Sequence, residues 1–306
     1  MSQMLDALSL DQLKIFIAAA EEGSFSAAGR RLDRAQSVIS QAVAALEAEL
    51  GVTLFSRTGR YPVLTEPGRL LLADARAVHC GVNALKARAK GMAAGLEPEL
   101  AVVIDVMFPM QVVTAAAAAF GEQFPATPLR LFVEALGGVA KAVLDGVCGL
   151  GVMGTLPLEV PALTRERLLG VKMVIVAAPC HPLSAVPRPI TLTALAQHNQ
   201  LVLTDRTELS KGQEFRVISP RNWRLADLGA KHAFLLAGLG WGGMPLDRVA
   251  RDLAEGALVE LPVEDDEDGG HVMPMFATYR GASPPGPAGR WFIEQLKQQA
   301  ASGTAT

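Results

Sequence analysis

Apolar positions follow two regimes along the chain. Up to about residue 92 they recur every three or four places. Leu10, Leu13, Ile17 and Ala20, with Phe16 alongside, make the stripe of a helix over 10–22 that Gly23 and Ser24 end. Phe25, Ala28 and Leu32 mark a short second helix. Ile39, Val43, Leu46 and Leu50 mark a longer third, and Gly51 stands where a left-handed cap would close it. Residues 52–64 (VTLFSRTGRYPVL) read as two short strands around Thr58-Gly59-Arg60. Thr65-Glu66-Pro67-Gly68 opens another helix, with Thr65 as cap and Pro67 tolerated in the first turn. Along it Leu71, Val78, Leu85 and Met92 stand seven apart, and so do Ala75, Val82 and Ala89. That is a heptad seam whose small positions let a second helix approach closely; the plainer alternative is a helix lying on its own domain.

The pattern changes after Gly91. Residues 91–98 (GMAAGLEP) form a linker without period. Strands over 99–106, 129–135 and 150–153 then alternate with helices over 109–124 and 139–144. A second set runs from a strand over 172–178 through a strand at 200–203, a helix at 226–237, a strand at 242–244 and a helix at 246–253. A late strand over 272–279 and a helix over 288–299 finish the chain. Such alternation implies a parallel α/β sheet with crossovers. Ligands of these sheets sit in the crevice at the carboxyl ends of the strands.

Composition narrows the class. The 306 residues are 50% hydrophobic and 19% charged, a globular chain long enough for more than one domain. The most apolar region, 101–120, is broken by Asp105, Pro109 and Gln111, so no membrane span is expected. No basic segment followed by an apolar core opens the chain, and Cys80, Cys148 and Cys180 lack metal-ligand spacing. These features favour a reduced, cytoplasmic location and imply no cofactor and no metal. The net charge is -3, yet residues 1–91 hold eleven Lys and Arg against nine Asp and Glu. Arg30, Arg31 and Arg34 cluster beside the turn between the second and third helices, where phosphates would need cations.

The third helix carries the informative chemistry. Opposite its apolar stripe stand Gln36, Ser37, Ser40 and Gln41, uncharged and rich in donors and acceptors. Gln reads adenine bidentately in a major groove and Ser reads several bases. Two helices joined by a turn, the second one presented to DNA, is the helix-turn-helix plan. Arg34, with Arg57 and Arg60 near the hairpin tip, would position the phosphate backbone. A surface face of an ordinary three-helix bundle is the competing reading.

The ordered stretches LDQLKIFIAAAEEGSFSAAGRRL (10–32), AQSVISQAVAALEAELGVTLFSR (35–57) and LTEPG (64–68) make the chain resemble a LysR-type transcriptional regulator. The resemblance implies an N-terminal all-α winged helix-turn-helix over 1–66 and a long linker and dimerisation helix over 67–92. It further implies a C-terminal α/β, two-lobed, periplasmic-binding-protein-like effector domain over 93–306. Lobe 1 would take about 93–163 and 267–306, and lobe 2 about 164–266. Double-stranded DNA at an inverted-repeat promoter site, a small-molecule effector and a homodimer or homotetramer are the implied partners, with no membrane. Ala35 stands where the family usually has Ser, Ser37 where it has Pro, and Gln41 where Arg or Lys is frequent. Asp33 is the available substitute for the cap that Ala35 removes.

Effector contacts are expected from Asp105, Val106 and Met107 after the first strand, Leu136 and Gly137 in EALGG (134–138), Thr204 and Asp205 beside Arg206, and Trp241. The family commonly has Ser or Thr at the place of Asp105. A carboxylate there favours a ligand donor or cation, unless it caps the next helix or pairs with an Arg. Trp241 either lines the crevice or packs in the core. GLGWGG (238–243) follows a helix and precedes a strand, the reverse of a dinucleotide fingerprint. Cys180-His181 between two prolines is a poor nucleophile pair, and EDDED (264–268) reads as a solvated loop. Cys80, beside the seam, is either a redox thiol or an inert one. A solute-binding module would predict a signal peptide and no DNA-reading helix. An enzyme would need a converging acid, base or nucleophile, and none converges.

Overall fold

The computed structural model describes residues 8–56, 61–154, 160–209, 216–264 and 271–303. Arg57, Arg60 and residues 265–268 of the acidic run lie outside them. The chain divides into two compact units, Met1–Lys90 and Gly91–Thr306.

In the first unit, α1 (Leu10–Glu22) opens with a capping box: Ser9 Oγ accepts the Gln12 amide and the Gln12 side chain accepts the Ser9 amide. Its buried residues are Leu13, Ile15, Phe16, Ala18 and Ala19, so the expected stripe needs correction: Leu10 is 49% exposed. The helix packs against two others at once, α2 (Phe25–Leu32) and α3 (Gln36–Leu50), which widens its buried sector around Phe16. Asp33 closes α2 in the left-handed conformation, φ 53°, and does not cap α3. Ala35 stands at that N-cap without a side-chain bond. Strands β1 (Phe55–Ser56) and β2 (Val63–Leu64) pair antiparallel as the wing. Phe55 meets Phe16 and Phe25 edge-on, with centroids 5.7 and 5.4 Å apart, and this fastens the wing to the bundle. Thr65 Oγ1 accepts the Gly68 amide at the start of α4 (Glu66–Ala93). Ala75 is buried, whereas Val78, Leu85 and Met92 of the heptad are exposed.

The second unit begins with β3 (Leu100–Asp105), α5 (Met110–Gln123), β4 (Leu129–Glu134), α6 (Gly137–Leu144), β5 (Leu150–Gly154) and β6 (Leu163–Ala177). A 3-10 turn over Pro182–Ala185 leads to α7 (Leu192–Ala196), β7 (Gln200–Leu203), β8 (Asn222–Leu225), α8 (Leu228–Leu236), β9 (Trp241–Pro245) and α9 (Leu246–Glu255). β10 (Val259–Glu260), β11 (His271–Arg280) and α10 (Pro287–Gly303) complete it. Among the described residues the sheet order is β4-β3-β5-β11-β6-β9-β7-β8, with β10 on β6. β3, β4 and β5 are parallel, as are β7, β8 and β9. β6 and β11 run antiparallel to each other along the whole of β11. β11 also pairs with β5, and Met173–Ala177 of β6 pair with β9. These two strands thus join one parallel group to the other. β6 starts nine residues earlier than the apolar run at 172 indicates, because residues 164–170 are all exposed or half-buried and include Arg165, Glu166 and Arg167.

Candidate functional site

Two places concentrate functional chemistry, one in each unit. On α3, Ile39, Val43 and Leu46 are fully buried, which turns Gln36, Ser37 and Gln41 outward and leaves Ser40 half-buried. Val38, 42% exposed, joins that edge; the sequence reading named only polar side chains there. A branched methyl group on such an edge suits a thymine methyl. The turn before α3 is tight: the Arg34 amide donates to Gly29 O at 2.8 Å, and a Cβ on Gly29 would stand 2.6 Å from Arg34 O. Behind α3, Glu47 Oε1 accepts the amides of Leu54 and Phe55 at 2.7 and 3.0 Å, fixing where the wing leaves the helix.

The arginine cluster is partly neutralised. Arg34 forms a bidentate pair with Asp11, at 2.5 and 2.9 Å, and Arg31 pairs with Glu21 and Glu22. Their acidic partners hold both guanidinium groups above their ordinary pKa. Arg30 donates only to Ser26 Oγ among the described residues. Exposed pairs of this kind are weak and readily exchanged for phosphate.

The second place is a cavity of about 500 Å³ that meets the carboxyl ends of β3 and β5 and runs along β7 to the start of β9. Asp105, Met107, Leu136 and Gly154 line it from the side of β3 to β5, and Gln200, Leu201, Leu203, Lys231 and Trp241 from the side of β7 to β9. Met173, Ile175, Met273 and Pro274 of the joining strands close its apolar wall. Of the residues expected here, Val106, Gly137, Thr204 and Asp205 lie outside the lining. Gly137 instead lies close to the segment after β7: a Cβ there would be 2.6 Å from Asp205 Oδ2 and 2.7 Å from Thr207 Oγ1.

Asp105 is 4% exposed and ends β3. Its Oδ1 accepts the Met107 amide at 2.8 Å, and the α5 N-cap is Pro109, so the carboxylate does not cap that helix. Burial pushes its pKa up to about 6, against the amides of Met107, Gly154 and Leu136, which favour the anion. Trp241 is buried, and its indole N–H donates to Leu195 O at 3.1 Å and His198 O at 3.3 Å, so it offers the cavity a wall and no donor. Gln200 is likewise committed, to Ile218, Ser219 and Arg216 backbone.

Lys231 was not foreseen from sequence. It is 4% exposed, and its Nζ donates to Gly243 O at 2.7 Å. Burial pulls its pKa down to about 8. A signal existed: Lys231 falls three after Leu228 and four before Leu235, inside the buried stripe of α8.

Elsewhere, Cys180 is exposed while His181 is buried, its Nδ1 accepting the Leu183 amide, so the two side chains share no chemistry. Burial raises the Cys148 thiol to about 11. Cys80 is exposed on α4. Among the described residues no cluster of His, Cys, Asp and Glu could hold a metal, and no helix is long and apolar enough to cross a membrane.

Comparison with known proteins agrees with this layout. The family of bacterial regulatory helix-turn-helix proteins, lysR family, matches residues 10–69, and the LysR substrate binding domain matches 93–301. The transcriptional regulator YeeY of Escherichia coli K12 is 29% identical over 258 residues, 83% of each chain. The HTH-type transcriptional activator AllS of Klebsiella pneumoniae is 29% identical over 256 residues, 82% of this chain and 94% of AllS. The oxidized form of OxyR from Corynebacterium glutamicum shares the fold, with a TM-score of 0.52 at 24% identity over 100% of this chain and 98% of OxyR. Full-length BenM does so with 0.52 at 18% over 98% of this chain and 99% of BenM. Helix-turn-helix and effector domain together place the chain in the LysR family of DNA-binding transcription regulators.

Proposed function

We propose that residues 1–66 read duplex DNA, that 67–92 pair two copies of the chain, and that 93–306 bind the effector between lobes of about 93–163 with 267–306 and 164–266. The observation that carries the first part is the outward polar edge of α3 over a fully buried apolar stripe. Gln36, Ser37, Ser40 and Gln41 read base edges, and Arg34, Arg57 and Arg60 hold the backbone. The uncovered Val78, Leu85 and Met92 positions support pairing through α4. A two-fold dimer, or a tetramer of two such dimers, then meets an inverted repeat with two recognition helices in successive major grooves. The protein acts in the cytoplasm, by binding and not by catalysis.

The effector occupies the 500 Å³ cavity and alters lobe closure, hence the spacing of the reading heads. The shift can only be as large as its differential affinity for the two states. A gel shift on DNA upstream of the protein's own gene tests the reading. Gln36→Ala is expected to lose about 1–3 kcal/mol on the specific site and little on random DNA. Equal losses on both would remove Gln36 from base reading.

A further inference from the structure

We propose that the effector is a bipolar small acid, its carboxylate held by Lys231 and a hydrogen-bond donor at its far end held by Asp105, with an apolar body between. The inference rests on the cavity being the effector site. Lys231 is the sharper half of the argument. Its ammonium carries three donors, and among the described residues only Gly243 O accepts one. Lys231 is 4% exposed, and Ile175, Leu201 and Gly243 of the same lining bring no acid. A buried cation with open donors on a cavity wall calls for an anionic oxygen from the ligand.

Asp105 sets the other end. Among the described residues it is the only carboxylate in the lining, it comes from the opposite lobe, and the groups that favour its anion are backbone amides with no cation among them. A ligand carboxylate is repelled there, while an amine or hydroxyl is welcome. The two charges stand on different lobes, so a ligand with both ends draws the lobes together, whereas a simple acid occupies one lobe alone. That difference separates an effector from a mere occupant.

The test uses the full-length chain and calorimetry with matched linear probes, from glycine through 6-aminohexanoate to 8-aminooctanoate. Each is compared with the ω-hydroxy acid, the unsubstituted acid and the neutral amide of the same length. One length of amino or hydroxy acid is expected to bind roughly tenfold or more tighter than the plain acid, and the acid tighter than the amide. Lys231→Met should weaken both acids by roughly the same factor and leave the amide unchanged. Lys231→Gln, which keeps a donor without charge, repeats the measurement should Met disturb packing. Asp105→Asn should erase the advantage of the far-end donor. Acid and amide binding alike, or acids indifferent to both Lys231 variants, overturns this assignment and leaves the effector cavity standing. A wild-type chain that takes up no probe, charged or neutral, overturns both.

Discussion

Replacing Lys231 by Met tests the buried ammonium through folding alone. In the folded chain burial lowers the Lys231 pKa from 10.5 to about 8. At 1.36 kcal/mol per unit, the charged form carries a cost of ~3 kcal/mol. Between these two pH values the unfolded chain holds a proton that the folded chain has released, so stability rises as pH climbs through the window. The full cost applies below pH 8 and is gone above 10.5. The Met variant never bears it but loses the bond to Gly243 O, a pH-independent deficit of ~1 kcal/mol. The variant is therefore expected to be more stable by ~2 kcal/mol at neutral pH and less stable by ~1 kcal/mol near pH 10.5. Urea unfolding followed by tryptophan fluorescence measures this. All three tryptophans, Trp223, Trp241 and Trp291, lie in the effector unit, so the signal reports that unit. Subtracting the two curves removes every other titrating group. A difference that stays flat across the window would mean that Lys231 is solvated, and the argument for an unmet cation would fall with it.

Other perturbations address the DNA-reading unit. Gly29→Ala drives a methyl to 2.6 Å from Arg34 O, a backbone clash that should cost ~1–3 kcal/mol. It should abolish the gel shift while leaving the tryptophan-monitored transition in place; intact DNA binding would refute the tight turn. Glu47→Ala strips the acceptor from the Leu54 and Phe55 amides and should cost ~2 kcal/mol in that unit, with Glu47→Gln recovering part through its remaining oxygen. Circular dichroism melting checks both variants, and equal losses for Ala and Gln would refute the acceptor role.

Periodicity made the first unit legible. Each of its helices repeats an apolar position over enough turns for the 3.6 period to show, and α3 runs Gln36–Leu50 as that period implies. Leu10 misled because hydrophobicity names a residue's preference, while packing against α2 and α3 together decides which sector is covered. In the second unit the largely buried strands β3, β5 and β7 stood out as apolar runs. The edge strand β8 (NWRL) did not, because one neighbour and two exposed residues leave it no such signature. The cavity follows the same division. Asp105 was readable because it breaks an apolar run at a strand end. The place of Lys231 in the apolar stripe of α8 marked it for burial, but that it faces a cavity shared with Asp105 is a long-range fact that no local pattern encodes.

Asp105 and Lys231 together give the effector unit an unusual pH profile. Asp105 rises from 3.8 to about 6, so between those values the folded chain binds more protons and stability falls as pH increases. Lys231 produces the opposite slope from about 8 to 10.5. Both buried charges are fully formed only between about pH 6 and 8, and there the ligand-free unit is at a local minimum, ~3 kcal/mol below each limb. A bipolar ligand recovers most where most was lost, so its affinity should peak in that window and fall on both sides. The amino-acid probes titrate near roughly 4 and 10, outside it, so a bell-shaped affinity reports the protein. Asp105→Asn should flatten only the acid limb and Lys231→Met only the alkaline one, in stability and in affinity alike. Affinity that ignores pH across the range while stability shows the valley would place the charges correctly and the ligand elsewhere.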